Sequence, residues 1–204
     1  MQHTVLKYLC CPVCYGDLTL EVFEESDKNY NGTLRKEVES GILTSDCGYV
    51  FPVLKGVPRM QLESFNEFSE FISKYKPDFN SLKENIFLKY GYLIEQGIKK
   101  HRKVKNSFGM EWSIFNYEKD KTWVFDREGR QKRFLKETGL TPSGLAGKMC
   151  IDVGCGNGVL TSAIADLGAV SFGIDVSASI ERAFENNQNP NVLYFQADLQ
   201  NLPF

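Results

Sequence analysis

One stretch constrains this chain more than any other: Ile151, Asp152, Val153, Gly154, Cys155, Gly156, Asn157, Gly158. An apolar run from Met149 to Val153 leads into it with strand character. Val159 to Leu167 follows with helix character, and Gly168 stops that helix. Strand, glycine-rich turn and helix, in that order, is how an α/β fold presents bare backbone N–H groups to a ligand. A side chain in the turn would block close approach of the backbone, and such turns use positive φ.

The spacing narrows the reading. A dinucleotide site reads G-x-G-x-x-G. Here the pattern is acid-x-G-x-G-x-G, from Asp152 through Gly158. A second apolar run, Ala169 to Ile174, ends in Asp175, about 20 residues after the first glycine, where a second strand delivers a carboxylate to a ribose diol. A third run, Val192 to Phe195, leads into Gln196, Ala197, Asp198 and Leu199. Three successive strands therefore end in polar or glycine clusters at one edge of a sheet, the edge where open α/β sheets bind ligands. Taken singly, each cluster has an ordinary reading: a tight turn at the glycines, a helix cap at Asp175 with Ser177 competing, a turn residue at Asp198.

Taken together, Asp152 to Gly158, Gly173 to Ser177, and Gln196 to Phe204 resemble the class I S-adenosylmethionine-dependent methyltransferases, in order and at that family's spacing. The resemblance covers about the last sixty residues. It implies that Gly154, Gly156 and Gly158 line the methionine and ribose part of the cofactor and that Asp152 orients its amino end. It further implies that Asp175 takes the ribose hydroxyls, Val176 packs on the adenine, and Asp198 accepts from the adenine amine beside the Leu199 backbone. The implied fold class is α/β, the first half of a Rossmann-like sheet over residues 147–204.

Composition sets the remaining bounds. A chain of 204 residues with 42% apolar content makes one large or two small packed domains. A net charge of −2 gives no general drive toward nucleic acid or an anionic membrane. No apolar run is long enough to span a bilayer, and Met1 to Thr4 lacks a signal pattern. Six cysteines without a signal point to reduced thiols or a metal rather than a disulfide framework, so a cytoplasmic location is expected.

Residues 1–60 read as a small β unit. Cys11-Pro12-Val13-Cys14 is a C-x-x-C knuckle able to give two thiolates to one tetrahedral ion. Leu18, Leu20 and Val22 alternate with Thr19 and Glu21 as a strand does, Asn31-Gly32 is a hairpin turn, and Cys47 to Val53 carries a further strand pattern. Leu9 to Leu18 and Gly41 to Met60 resemble the zinc-ribbon-like domain of activator subunits of tRNA methyltransferases. That family places a second C-x-x-C before the glycine. Here Cys47 holds its second position, but Thr44 holds its first. Two readings stay open: Cys11, Cys14 and Cys47 as an incomplete zinc site, its fourth ligand sought at Asp46, Cys10 or His3, or cysteines buried in a ribbon core.

Residues 61–146 read as a helical connector. Phe65, Phe68, Phe71, Ile72 and Tyr75 recur at helical spacing up to Pro77, a core stripe. Leu82 to Ile98 is a second helical segment, interrupted by Gly91 and Gly97. The basic run Lys99 to Lys105 reads as a solvated helix end with His101 exposed, the alternative being a site for a phosphate-bearing substrate. Asp126 is placed to cap a helix ending at Gly139, with Phe134 and Leu135 inward, and Thr141 to Gly144 is read as a loop. Trp112, Trp123 and Phe125 either cover the cofactor, as the resemblance implies, or pack a helix on the sheet.

The resemblance also implies a seven-stranded sheet, of which three strands are present. The expectation is an N-terminal fragment without methyl transfer of its own, no nameable catalytic base, and an apolar edge at Met149 to Val153 open to self-association. Two other functions are weighed against methyl transfer: a non-catalytic docking module, and a nicotinamide-dependent oxidoreductase, which the glycine spacing and the Asp198 segment disfavour.

Overall fold

A computed structural model describes residues 1–114 and 126–204, with side chains through 105 and from 126 onward. The chain opens with a 3₁₀ turn, His3–Tyr8. It continues into a four-stranded antiparallel sheet, in the order β1 (Leu18–Tyr30), β2 (Thr33–Ser45), β3 (Val50–Leu54), β4 (Val57–Pro58). The Asn31-Gly32 turn joins β1 to β2 with both residues at positive φ, 48° and 94°, the pair that matches the right-handed twist of the flanking strands. The hairpin is longer than the alternation alone indicates. A bulge near Glu24 breaks the period-two pattern that would have marked its outer half.

Two short helices follow, α1 (Ser64–Glu67) and α2 (Ser69–Tyr75). The aromatic stripe expected on one helix is thus split at Phe68, which leaves helical geometry and lays its ring 5.5 Å from the Arg59 guanidinium. Phe65 and Ile72 are buried as a core stripe requires. Next comes α3, one helix of 36 residues, Phe79–Ile114. Gly91 and Gly97 do not interrupt it. Gly97 is where the long helix passes closest to Glu63: a β-carbon there would lie 2.6 Å from Oε2 of that acid. Ile86, Ile94 and His101 form the buried face of α3.

The helix α4 (Arg127–Thr138) is capped by Asp126, which accepts from the Gly129 N–H at 2.8 Å, and ends at Gly139 in the left-handed region, as its sequence signals predict. Phe134 and Leu135 are only half-buried. Thr141 to Gly144, read as a loop, instead begins a one-turn helix, α5 (Pro142–Leu145), because the Thr141 hydroxyl caps it and Pro142 occupies its first position.

The C-terminal part is a three-stranded parallel sheet, β5 (Met149–Val153), β6 (Val170–Asp175) and β7 (Val192–Gln196), in that spatial order. Two helices, α6 (Val159–Ala165) and α7 (Ser179–Asn186), make the crossovers. Ser177 does not cap α7. Its N–H and hydroxyl both turn back to Asp175 Oδ1, at 2.8 and 2.6 Å.

The two sheets share one core. Phe172, Ile174, Leu193 and Phe195 on one face of the parallel sheet pack against Val5, Leu9, Val38 and Phe51 of the N-terminal unit. The opposite face packs Tyr194 on α6 and α7 through Ala165, Ile180 and Ala183. The segment just after β4 also docks on the free edge of β7, through a parallel bridge between Arg59 and Gln196: the Met60 N–H donates to the Gln196 carbonyl at 2.8 Å. Buried Arg59 ties the junction, donating to Leu54 O, Gln196 Oε1 and Glu181 Oε1 at 3.2, 3.1 and 2.7 Å. One sheet edge is therefore covered. The other, β5, leaves Met149, Ile151 and Val153 exposed by 63, 50 and 44%. Among the described residues, no helix is long and apolar enough to cross a membrane.

Candidate functional site

The three strand tips meet. Gly154 after β5, Asp175 and Val176 at the end of β6, and Asp198 and Leu199 after β7 line one cavity of about 390 Å³. Parallel pairing in register causes this. Val153 lies beside Ile174 and Asp175 beside Gln196, so all three strands deliver their C-terminal ends to the same side.

The glycine loop is built inward. Gly154, Gly156 and Gly158 all have positive φ, 75°, 55° and 77°. The Gly156 N–H donates to Asp175 Oδ2 at 2.9 Å, and the Gly158 N–H donates to the Cys155 carbonyl at 2.9 Å. Only Gly154 borders the cavity. Gly158 serves packing: a β-carbon there would stand 2.1 Å from the Tyr194 hydroxyl oxygen. Asp152 lies behind the loop and accepts from the Thr161 hydroxyl at 2.6 Å. Burial pushes its carboxyl above the ordinary value, and the nearby Asp175 charge adds to that.

Asp175 is fully oriented. Oδ1 takes the N–H and hydroxyl of Ser177, and Oδ2 takes Gly156. A carboxylate offers about four acceptor sites, so one remains for a donor in the cavity.

The opposite wall comes from α3, and here the sequence reading is corrected. The basic run is not a solvated helix end, because the helix continues through it and turns three of its side chains toward acids. Lys100 Nζ donates to Asp198 Oδ2 at 2.5 Å, and Lys105 pairs with Glu63 and Glu67 at 3.0 and 2.7 Å. His101 is not exposed. It is 4% accessible, with Nδ1 2.6 Å from Glu63 Oε1. Its Nε2 faces Asp198 Oδ2 at 3.3 Å without hydrogen-bond geometry. Burial alone would raise the Glu63 and Asp198 carboxyls. Hydrogen bonds and cations outweigh it, from His101 and Lys105 at Glu63 and from Lys100, the Gln200 N–H and His101 at Asp198, and hold both below their ordinary values.

Lys100, His101 and Val104 line the cavity alongside the strand tips. Sequence reasoning missed all three. The one available signal was a lone histidine inside a helical run at the buried-face spacing of Ile86 and Ile94. Trp123 and Phe125 lie outside the described residues, as does the side chain of Trp112.

Residues 150–204 match the family model described as a methyltransferase domain. The methyltransferase-like segment begins inside β5 and takes in every strand tip around the cavity. Two curated relatives are named ubiquinone biosynthesis O-methyltransferase. That of Glaesserella parasuis is 36% identical over 61 residues, 28% of this chain and 26% of the relative. That of Methylococcus capsulatus is 53% identical over 36 residues, 18% of this chain and 15% of the relative. The chain thus spans about a quarter or less of the length of these relatives. Among solved structures, magnesium protoporphyrin IX methyltransferase from Synechocystis PCC 6803 with bound SAH overlaps at a TM-score of 0.32 and 23% identity, over 37% of this chain and 36% of that one. The plantazolicin methyltransferase in complex with SAH overlaps at 0.30 and 24%, over 54 and 45%.

Away from the methyltransferase-like segment, Cys11, Cys14 and Cys47 bring their sulfurs within 4.8 Å of one another. Cys11 and Cys47 are 3.9 Å apart. Backbone N–H groups of Val13 and Gly16 point at the Cys11 and Cys14 sulfurs, both at 3.4 Å. A hydrogen bond from Ser45, aided by the Gly16 N–H, draws the exposed Cys14 thiol down to about 7, whereas burial pushes Cys11 up to about 11. Of the fourth ligands considered from sequence, His3 is taken by Glu25, and neither Cys10 nor Asp46 joins the group.

Proposed function

We propose that this chain carries the cofactor-binding part of an S-adenosylmethionine-dependent methyltransferase. The observation that carries the reading is one cavity holding Gly154, Asp175, Val176, Asp198 and Leu199, lined by two carboxylates, while the loop N–H groups of Gly156 and Gly158 are spent internally. A pyrophosphate needs those N–H groups free and repels paired acids. A nucleoside without phosphates suits the site, because its hydroxyls and ring amine donate to carboxylates. This disfavours a nicotinamide dinucleotide.

In this reading Asp175 receives a ribose hydroxyl through its remaining acceptor site, and Val176 and Leu199 flank the base. Asp198 accepts the ring amine through Oδ1, where only the Gln200 N–H is now bound. Asp152 acts behind the loop, holding Thr161 and the first turn of α6. S-adenosylmethionine held there would supply a methyl group on a sulfonium; its transfer to the acceptor breaks the sulfur–methyl bond and releases a neutral thioether. The protein's contribution is then mainly positioning. The named activity of the two curated relatives favours an oxygen acceptor. The units 1–60, 61–146 and 147–204 act as ribbon, wall and cofactor site. In the ribbon, Cys11, Cys14 and Cys47 are zinc ligands, since three thiols with N–H support at metal-site spacing suit a thiophilic ion.

Calorimetric titration with S-adenosylhomocysteine and with NAD tests the cofactor reading. Binding of the first, lost in Asp175→Ala, is the expected result. Heat from NAD with none from S-adenosylhomocysteine would overturn it.

A further inference from the structure

The thiol group contains a fourth polar atom that the cysteine spacing did not indicate. Ser45, at the end of β2, is 4% exposed. Its hydroxyl oxygen lies 3.2 Å from the Cys14 sulfur and 3.4 Å from the Cys47 sulfur, and the Cys11 sulfur is 3.9 Å from that of Cys47. One oxygen therefore sits against two of the three clustered sulfurs.

These separations are those of a coordination shell. With Zn–S of about 2.3 Å and Zn–O of about 2.0 Å, a tetrahedron has sulfur–sulfur edges of about 3.8 Å and sulfur–oxygen edges of about 3.5 Å. The Cys11–Cys47 edge is 3.9 Å, and the Ser45 edges to Cys14 and Cys47 are 3.2 and 3.4 Å. We propose that Ser45 is the fourth vertex of a Cys₃Ser site for one Zn²⁺ ion, closing the ribbon between the Cys11–Cys14 knuckle and the turn from β2 to β3. This inference rests on the reading of the three cysteines as zinc ligands.

Strand geometry explains why the vertex is Ser45 rather than Thr44. Successive strand residues face opposite sides, so one step along β2 moves a side chain from one face to the other. Thr44 is the last β2 residue paired with β3, opposite Val50, and it is half-exposed. Ser45 is buried on the cysteine side, and its own turn holds it there: the Gly48 N–H donates to the Ser45 carbonyl at 2.8 Å, and the Ser45 N–H donates to the Tyr49 carbonyl at 2.9 Å. The hydroxyl also receives the Cys47 N–H at 3.4 Å, which orients its lone pairs within the group. Three thiolates and a neutral hydroxyl around Zn²⁺ leave one net negative charge. The N–H groups of Val13 and Gly16 at the sulfurs stabilise it.

The test compares the full chain with Ser45→Ala and Ser45→Cys. Zn²⁺ affinity is measured by competition with a chromophoric chelator, and Co²⁺ serves as the spectroscopic probe. The parent should bind one equivalent of Co²⁺ with tetrahedral bands and charge-transfer intensity of three thiolates. Ser45→Ala should weaken Zn²⁺ by about tenfold or more and change the Co²⁺ ligand-field bands. Ser45→Cys should tighten Zn²⁺ and raise the charge-transfer band to four thiolates. Melting of the metal-free variants, unchanged from the parent, ties these shifts to the metal. If Ser45→Ala matches the parent in affinity and spectrum, Ser45 is not a ligand and only the three-thiolate reading survives. If the parent binds no Zn²⁺, the metal reading falls with it, whether or not Ser45→Cys creates a site.

Discussion

Replacing Gly158 by alanine should damage the fold, whereas replacing Gly154 should damage the site. Both glycines sit in the left-handed region, so alanine at either costs about 1–2 kcal/mol in the backbone alone. Around Gly154 nothing lies within 4 Å of the added methyl. At Gly158 the methyl would meet the Tyr194 hydroxyl at 2.1 Å and its ring carbons at 2.7 and 2.8 Å. The ring cannot retreat, because its other side already lies against Gly173, where a β-carbon would stand 2.5 Å away. Overpacking of this kind adds about 1–3 kcal/mol, so Gly158→Ala should lose about 2–5 kcal/mol in total. For a chain of this length that lowers Tm by about 5–15 °C. Urea denaturation of Gly154→Ala, Gly158→Ala, Tyr194→Phe and the Gly158→Ala/Tyr194→Phe pair measures it. The phenylalanine removes the worst contact, so the pair should show a favourable coupling of at least about 1 kcal/mol. Gly154→Ala should keep most of its stability but lose S-adenosylhomocysteine binding. A Gly158→Ala protein melting within about 2 °C of the parent, or a pair with strictly additive losses, would refute the packing argument.

Removing Glu63 leaves the buried His101 Nδ1 without its hydrogen-bond partner and Lys105 without one of its two carboxylates, so Glu63→Ala should cost about 1–3 kcal/mol in urea denaturation; a loss under about 0.5 kcal/mol would count against it. The Glu63 and Asp198 carboxyls are depressed in the folded chain, so the stability they add is complete above their unfolded values of 4.5 and 3.8 and is lost as pH falls through the lower folded values. Melting between pH 6 and pH 3 should therefore fall less steeply in Glu63→Gln than in the parent, and parallel curves would remove Glu63 from the account. Asp198→Asn should weaken S-adenosylhomocysteine binding while leaving far-UV circular dichroism unchanged; unaltered affinity would detach Asp198 from the base.

The parts legible in the sequence are local. The glycine turn, the three apolar runs, the Asn31-Gly32 hairpin and the Asp126 cap each follow from a few neighbouring residues and one backbone preference, and each stands where the pattern predicts. The convergence of Gly154, Asp175 and Asp198 was legible too, because parallel strands joined by short helices leave their C-terminal ends on one side. The partners of those residues were not. Lys100 meets Asp198 across 98 positions, and His101 meets Glu63 across 38. No periodicity encodes which acid a basic helix will face.

What the sequence by itself determined is the set of strands and turns, and the order of the acids at their tips, because those depend on side-chain period and on glycine's access to positive φ. Only the tertiary structure decided that α3 runs unbroken past Glu63 and closes the cavity with Lys100 and His101. It alone decided that Gly158 lies against Tyr194, and that the Ser45 hydroxyl lies beside Cys14 and Cys47. Each of these depends on close packing between segments far apart in the chain, where a few tenths of an ångström separate a contact from a clash.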